Sequence, residues 1–353
     1  MSSNKPQSWR LTVPLIENES DLDRILSTPP PELVQALAGW EGDLLILGGG
    51  GKVGPSLAAM ARSALARAGK ADRVIAADLF PSPDAREALE ANGIETVTCD
   101  LLDREALARL PEAPNVMFMA GRKFGWTGDE ALTWALNVHV PALIAERFRL
   151  ARIVVFSSGN VYPFTPVTSG GPTEDDPVGP VGEYAQSCLG RERMFQHFSG
   201  RFGTAVTILR LNYAIDLRYG VILDVAQKVH RGIPIDLTTG YVNVIWQGDV
   251  NDRTLRAFSL CQSPPAILNL TGTEAVSVRA MAERLGELMG KKPVFEGREA
   301  DTALLSNASR ARQLFGEPAV PLDTMIQWTA HWVMIGGPTL NKPTHFEQRD
   351  GKF

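Results

Sequence analysis

Leu44-Leu45-Ile46-Leu47-Gly48-Gly49-Gly50-Gly51-Lys52-Val53-Gly54 decides how the rest of the chain is read. An apolar run passes straight into glycines. The glycines open onto a segment in which Leu57, Met60, Ala61, Ala64 and Leu65 recur on one helical face. Strand, tight turn and helix therefore follow one another without an intervening loop. Similar short runs return at Val74-Ile75-Ala76-Ala77, Thr96-Val97-Thr98-Cys99, Val116-Met117-Phe118-Met119, Ile153-Val154-Val155-Phe156 and Val206-Thr207-Ile208-Leu209, with helical sequence between them. None alternates apolar with polar residues. Strands covered on both faces and joined by crossover helices make a doubly wound parallel sheet, so the predicted class is α/β.

The chain has 353 residues, enough for one large domain or two joined ones. Residues 1–42 read as an N-terminal extension with a short helix Pro31 to Trp40, and 43–215 as the nucleotide-binding Rossmann domain. After Ile215 the rhythm loosens, and 216–335 read as a smaller substrate-binding lobe that can return elements to the core. That lobe holds a helix Leu223 to Arg231, a strand Ala266 to Leu270, a helix Val278 to Met289 opened by Ser277, and a helix Leu322 to Ile335. Residues 336–353 form an irregular tail.

A net charge of −5 has the wrong sign for a protein held on nucleic acid or anionic lipid. Cys99, Cys188 and Cys261 are scattered, without a CxxC pair, which predicts no metal site, no disulfide framework and a reducing, cytoplasmic setting. No signal peptide or 18-residue apolar span is found, so no membrane association is expected.

Gly48, Gly51 and Gly54 form GxxGxxG between a strand and a helix. Absent side chains let backbone N–H groups and the helix N-terminus approach a pyrophosphate. An NTPase loop would need Ser or Thr at Val53 and Gly at Ile46, so that reading fails. Asp78, ending the second run, suits adenosine ribose hydroxyls and favours NAD over NADP, whereas Lys52 is a base that could meet a 2′-phosphate. Asp100 suits either the adenine amino group or the cap of a helix starting near Leu102.

From Gly42 to Ile335 the chain resembles the extended short-chain dehydrogenase/reductases, the NAD-dependent epimerase/dehydratase family. The resemblance rests on GxxGxxG, Asp78 and Asp100, Met119-Ala120-Gly121-Arg122-Lys123, Asn137, and Ser157-Ser158-Gly159-Asn160-Val161-Tyr162. It continues with Tyr184 and Glu192, Leu209-Arg210-Leu211, and Asn269-Leu270-Thr271-Gly272. It implies an NAD site of Gly48, Gly51, Lys52, Val53, Gly54, Asp78, Asp100, Leu101, Ala120, Gly121, Lys123, Asn137 and Tyr184. Ser158 would be the catalytic hydroxyl and Tyr184 the acid/base, with Ser158, Asn160, Asn212 and Arg298 on a small-molecule substrate. It also implies a homodimer paired through Asp129 to Arg149 and Glu183 to Ser199, with Phe195 and Phe198 at the seam.

One departure stands out. The family pattern is YxxxK, and this chain reads Tyr184-Ala185-Gln186-Ser187-Cys188. An ammonium about 5 Å from the phenol, at an effective dielectric near 20, is worth roughly 3 kcal/mol, or about two pH units of tyrosine acidity. Cys188 supplies no such charge, leaving the dinucleotide itself, Lys123 or Arg122 to compensate. A nucleophilic role for Cys188 is the weaker reading, because no histidine lies near it in sequence.

Two functions remain in view: an NAD-dependent epimerase, dehydratase or dehydrogenase acting on a carbohydrate hydroxyl or ketone, and an NAD-binding protein that serves without redox chemistry as a sensor or assembly partner. In nucleotide-sugar relatives an arginine opens the segment that here begins at Val242, and that arginine grips the diphosphate. Its loss, with Arg298 and Arg218 left as anchors, predicts a sugar acid or neutral sugar derivative rather than a nucleotide sugar.

Overall fold

The computed structural model describes residues 14–81, 83–123 and 129–351. Seven parallel strands form one sheet: β1 (Leu44–Leu47), β2 (Val74–Asp78), β3 (Glu95–Thr98), β4 (Asn115–Phe118), β5 (Arg152–Ser158), β6 (Val206–Leu211) and β7 (Ala266–Leu270). Their spatial order is β7-β6-β5-β4-β1-β2-β3, the doubly wound Rossmann arrangement that the apolar runs predict. The order reverses between β1 and β4, and a cleft opens at such a point outside the strands' carboxyl ends. β7 comes from the sequence after residue 215 and pairs with β6 along its whole length, Ala266 opposite Thr207 through Leu270 opposite Leu211.

Both sheet faces are covered. Leu45, Leu47, Ile75, Val116, Phe118, Ile153 and Val155 enter one apolar cluster, and Leu44, Ile46, Val74, Met117, Val154 and Leu209 enter another. α3 (Gly54–Arg67) buries Leu57, Met60, Ala61, Ala64 and Leu65, the face expected from their spacing. α8 (Gly182–Phe202) buries Phe195 and Phe198 inside the chain, with the Phe195 ring 5.5 Å from Phe118. This corrects the expectation that the two phenylalanines lie at a dimer seam. Their helical spacing marks a core stripe here, and pairing of two copies through this helix would have to use its outer face.

The 14–42 segment belongs to the folded body. α1 (Glu19–Ser27) is capped by Asn18, whose side chain accepts from the Asp21 N–H at 2.9 Å, and it buries Leu22 and Leu26. α2 (Pro31–Ala38) buries Leu33 and Leu37, and Trp40 packs edge-on to Phe258 at 4.8 Å. A third cluster gathers α9 (Val221–Arg231), α11 (Val278–Met289) and α13 (Leu322–Met334), with Trp246, Trp328 and Trp332 among its members. Ser277 caps α11 through the Ala280 N–H, as its position predicts.

The segment 336–351 has no regular secondary structure but is fastened at many points. The Leu340 N–H donates to Arg218 O at 2.9 Å, and Thr344 donates to the Asp224 carboxylate through its N–H at 2.8 Å and its hydroxyl at 2.6 Å. Lys228 pairs with Glu347, Arg349 donates to Thr302 O at 2.8 Å, and Phe346 is buried in the third cluster. Gly351 finally packs on Gly182, where a Cβ would lie 2.5 Å from Gly351 O.

At the carboxyl ends of β5, β6 and β7 a buried polar network ties the layers together. Glu192 on α8 accepts from Arg210 on β6 at 3.0 and 2.8 Å, and from the Ser157 hydroxyl on β5 at 2.6 Å. Arg210 donates onward to the Tyr162 hydroxyl at 2.7 Å, and that hydroxyl lies 2.8 Å from Asn269 Oδ1 on β7. The side chains of Glu192 and Arg210 are 0% and 4% exposed, so removing one partner strands a desolvated charge. Arg210→Met is expected to cost about 3–5 kcal/mol, read as a fall in the urea midpoint at unchanged slope.

Candidate active site

The glycine turn is built by steric demand. Gly48 has φ +89°, and a Cβ on it would stand 2.6 Å from the Ala120 nitrogen, so β1 and β4 end in close backbone contact. A Cβ on Gly54 would stand 2.2 Å from Gly49 O, which lets α3 start directly against the turn. At Gly51 a Cβ would meet only Gly48 O, at 3.4 Å, an ordinary contact. The chain itself therefore makes no demand for glycine at 51, and close approach of a pyrophosphate to the backbone would. Val53 precedes α3 and packs against the core.

Asp78 ends β2 beside this turn, accepting from the Gly50 N–H at 2.9 Å and the Leu79 N–H at 2.7 Å. Each carboxylate oxygen keeps acceptor capacity for a ribose hydroxyl. Lys52 does not face that position. Its ammonium donates to Ala214 O at 3.1 Å and lies 3.7 Å from the Tyr219 ring centroid, so the base that could have met a 2′-phosphate points instead toward the 213–219 segment.

Asp100 accepts from the Leu102 N–H at 2.9 Å and is exposed, beside the buried Leu101. It does not cap a helix: α5 (Arg104–Ala108) begins later, with Asp103 as its cap. Asp103 is the stronger N-cap because its carboxylate reaches two orphan N–H groups, Glu105 and Ala106.

Ser158 ends β5, donating to Asn160 Oδ1 at 3.0 Å and accepting from the Asn160 N–H at 3.1 Å. Tyr184, from the first turn of α8, lies against Ser158 and Cys188, and both side chains act on its phenol. Burial raises the Tyr184 phenol well above its ordinary range, Cys188 adds to that, and Arg191 acts in the opposite direction. Burial likewise raises the Cys188 thiol, which works against a thiolate there.

The loop after β4 is held from behind by Asn137, in the π-helical turn Ala135–His139. Asn137 accepts from the Arg122 N–H at 2.9 Å and donates to Arg122 O at 3.0 Å and Ser187 Oγ at 2.9 Å. This directs Lys123 over Tyr184, its ammonium 5.9 Å from the ring centroid. Burial lowers the pKa of Lys123 to about 8, partly offset by Cys188 and Asp224. It also lowers Lys52 to about 8, against the opposing pull of Asp216.

Asn212 packs against Gly159 beside Ser158, with a buried amide Nδ2 that has no hydrogen-bond partner among the described residues. The two expected anion anchors fare differently. Arg298 is exposed on the loop after Phe295–Glu296, while Arg218 is engaged by Asp23 at 2.8 Å and Glu19 at 3.4 Å on α1. No cluster of His, Cys, Asp and Glu able to hold a metal exists among the described residues, and no described helix is long and apolar enough to cross a membrane.

Solved structures share this architecture. MoeE5 in complex with UDP-glucose and NAD superposes with TM-score 0.67 at 21% identity, covering 84% of this chain and 99% of that one. A mutant of UDP-glucuronic acid 4-epimerase from Bacillus cereus, in complex with a fluorinated UDP-glucuronic acid and NAD, gives TM-score 0.69 at 17% identity, covering 83% and 99%. UDP-glucose 4-epimerase from Thermotoga maritima gives 0.66 at 18%, covering 83% and 98%. No curated protein sequence matches the chain. A family model, however, matches residues 44–239, more than half of the 353 residues and the span that carries the glycine turn, Asp78, Ser158 and Tyr184. On that match, the chain belongs to the NAD-dependent epimerase/dehydratase family.

Proposed function

We propose that the protein is an NAD-dependent epimerase or dehydratase whose substrate is a sugar carried on a nucleoside diphosphate. The observation that supports the chemistry is that Tyr184, in the first turn of α8, meets Ser158 at the carboxyl end of β5, so a phenol and an alcohol stand together at the sheet edge where such folds bind ligands. Bound NAD supplies reversible hydride exchange with a substrate carbon. Tyr184 takes the proton from the adjoining substrate hydroxyl and returns it, while Ser158, oriented by Asn160, holds the oxygen on which charge changes. Asn212 offers its unpartnered amide to the substrate.

The substrate class replaces the sugar acid or neutral sugar expected from sequence. Support comes from the relatives solved with UDP-glucose or a fluorinated UDP-glucuronic acid, and from the site's own charges. Arg218 is already held by α1, so the inventory of arginines that argued for a smaller anion does not describe the site. Two other cations, Lys52 and Lys123, stand between the strand ends and the 213–224 segment, close enough that Lys123 lowers the pKa of Lys52. Such desolvated ammonium groups suit a diphosphate.

Incubation with NAD and UDP-glucose or UDP-glucuronic acid, followed by proton NMR of the sugar, tests the reading. A new sugar signal is expected, and no change with any nucleoside diphosphate sugar would refute it. Tyr184→Phe is expected to lower turnover by about 10² to 10⁴ while NAD affinity, measured by calorimetry, stays as in the parent.

The lysines also give a pH signature. Below pH 8 both folded and unfolded chains hold the Lys52 proton, and the folded state bears the full desolvation cost. From about 8 to 10.5 the folded chain has released the proton that the unfolded chain retains, so stability rises with pH. Relative to Lys52→Met, the parent is expected to gain up to about 3 kcal/mol across that window, measured by urea unfolding at successive pH values.

A further inference from the structure

Arg191 lies on α8 one turn beyond Cys188, with 5% of the residue exposed. Its guanidinium donates to Phe156 O at 2.7 Å and to Asn137 Oδ1 at 2.8 Å, and its Nε is buried with no hydrogen-bond partner among the described residues. No carboxylate pairs with it among the described residues, since the adjacent Glu192 is committed to Arg210. The packing around it is specific: a Cβ on Gly121 would fall 2.2 Å from Arg191 Nη2, so the loop that carries Lys123 is shaped to let this guanidinium in. A buried cation with neutral partners and an unused donor is costly to keep and calls for a reason.

We propose that Arg191 is a positioning residue for the proton transfer, holding a fixed positive charge behind Tyr184 and Cys188 in place of the lysine that Cys188 replaces. The direction of its influence agrees, because Arg191 favours ionisation of both Tyr184 and Cys188. The other titratable or charged groups around this pair are Lys123 over the ring, Glu192 beside Cys188, and Asp224 and Lys52 beyond Lys123. Lys123 loses its proton near pH 8, whereas a guanidinium keeps its charge throughout the working range.

The inference rests on Tyr184 being the proton-transfer group, but its test reads ionisation rather than turnover, so the two can fail separately. A ring-difluorinated tyrosine, more acidic than tyrosine, is placed at 184 in the full chain, and its ionisation is followed by fluorine NMR with and without NAD. Arg191→Met is expected to raise the midpoint by about one to two pH units, with Arg191→Lys remaining near the parent and Arg191→Met with Cys188→Lys returning toward it. An unchanged midpoint in Arg191→Met, with parent-like melting and NAD affinity, would overturn the proposal. Should Arg191→Met not fold, Arg191→Gln, which keeps hydrogen-bond donors without charge, is compared with Arg191→Lys. Equal midpoints in those two overturn it, and a higher midpoint in the glutamine variant supports it.

Discussion

The Glu192–Arg210 pair fixes the geometry on which the site depends. It is not an isolated ion pair, because Ser157 and Tyr162 satisfy its remaining hydrogen-bonding capacity, and Tyr162 carries the linkage to Asn269. Through it α8, β5, β6 and β7 share one buried polar knot. Such a knot gives little net stability over well-packed apolar residues, yet it tolerates only one register among the elements that meet there. Ser158 sits next to Ser157, and Tyr184 lies two helical turns before Glu192, so both belong to elements that the knot holds in register.

Around that frame the positive charge of the site is distributed in an unusual way. Position 188 carries a neutral, buried thiol, while cations reach the same region from three other places: the glycine turn through Lys52, the loop after β4 through Lys123, and the next turn of α8 through Arg191. The lysines titrate near pH 8 because the surrounding protein desolvates them, and an anionic ligand would restore part of what burial removes. Asp216 beside Lys52 and Asp224 beside Lys123 already offset part of that cost.

The architecture was largely legible in the sequence because the central strands, buried on both faces, have nowhere to place polar residues, whereas the edge strand β3 is partly exposed and carries Glu95, Thr96 and Thr98. The last strand, Ala266 to Leu270, was also legible as a strand, but its place beside β6 depends on pairing across distant sequence. α1 went unread because Glu19-Ser20-Asp21-Leu22-Asp23-Arg24 is mostly polar, although Asn18 followed by Asp21 is a helix-start signal that could have been found. Lys52 was legible as part of the turn but its direction was not, since side-chain direction depends on Ala214 and Tyr219, far along the chain. Arg191 left no signal at all. An arginine amid Gly190, Glu192 and Arg193 reads as a solvated helix surface, and it takes the fold, with Phe156 O, Asn137 and the space above Gly121, to bury it.

The segment 336–351 gives the molecule a temporal order. It touches Arg218, Asp224, Thr302 and finally Gly182, at the start of the helix that carries Tyr184. During synthesis the seven strands, the glycine turn, Ser158 and Tyr184 all emerge before this segment does, so its contacts with Arg218, Asp224, Thr302 and Gly182 can form only after every strand of the sheet has been made.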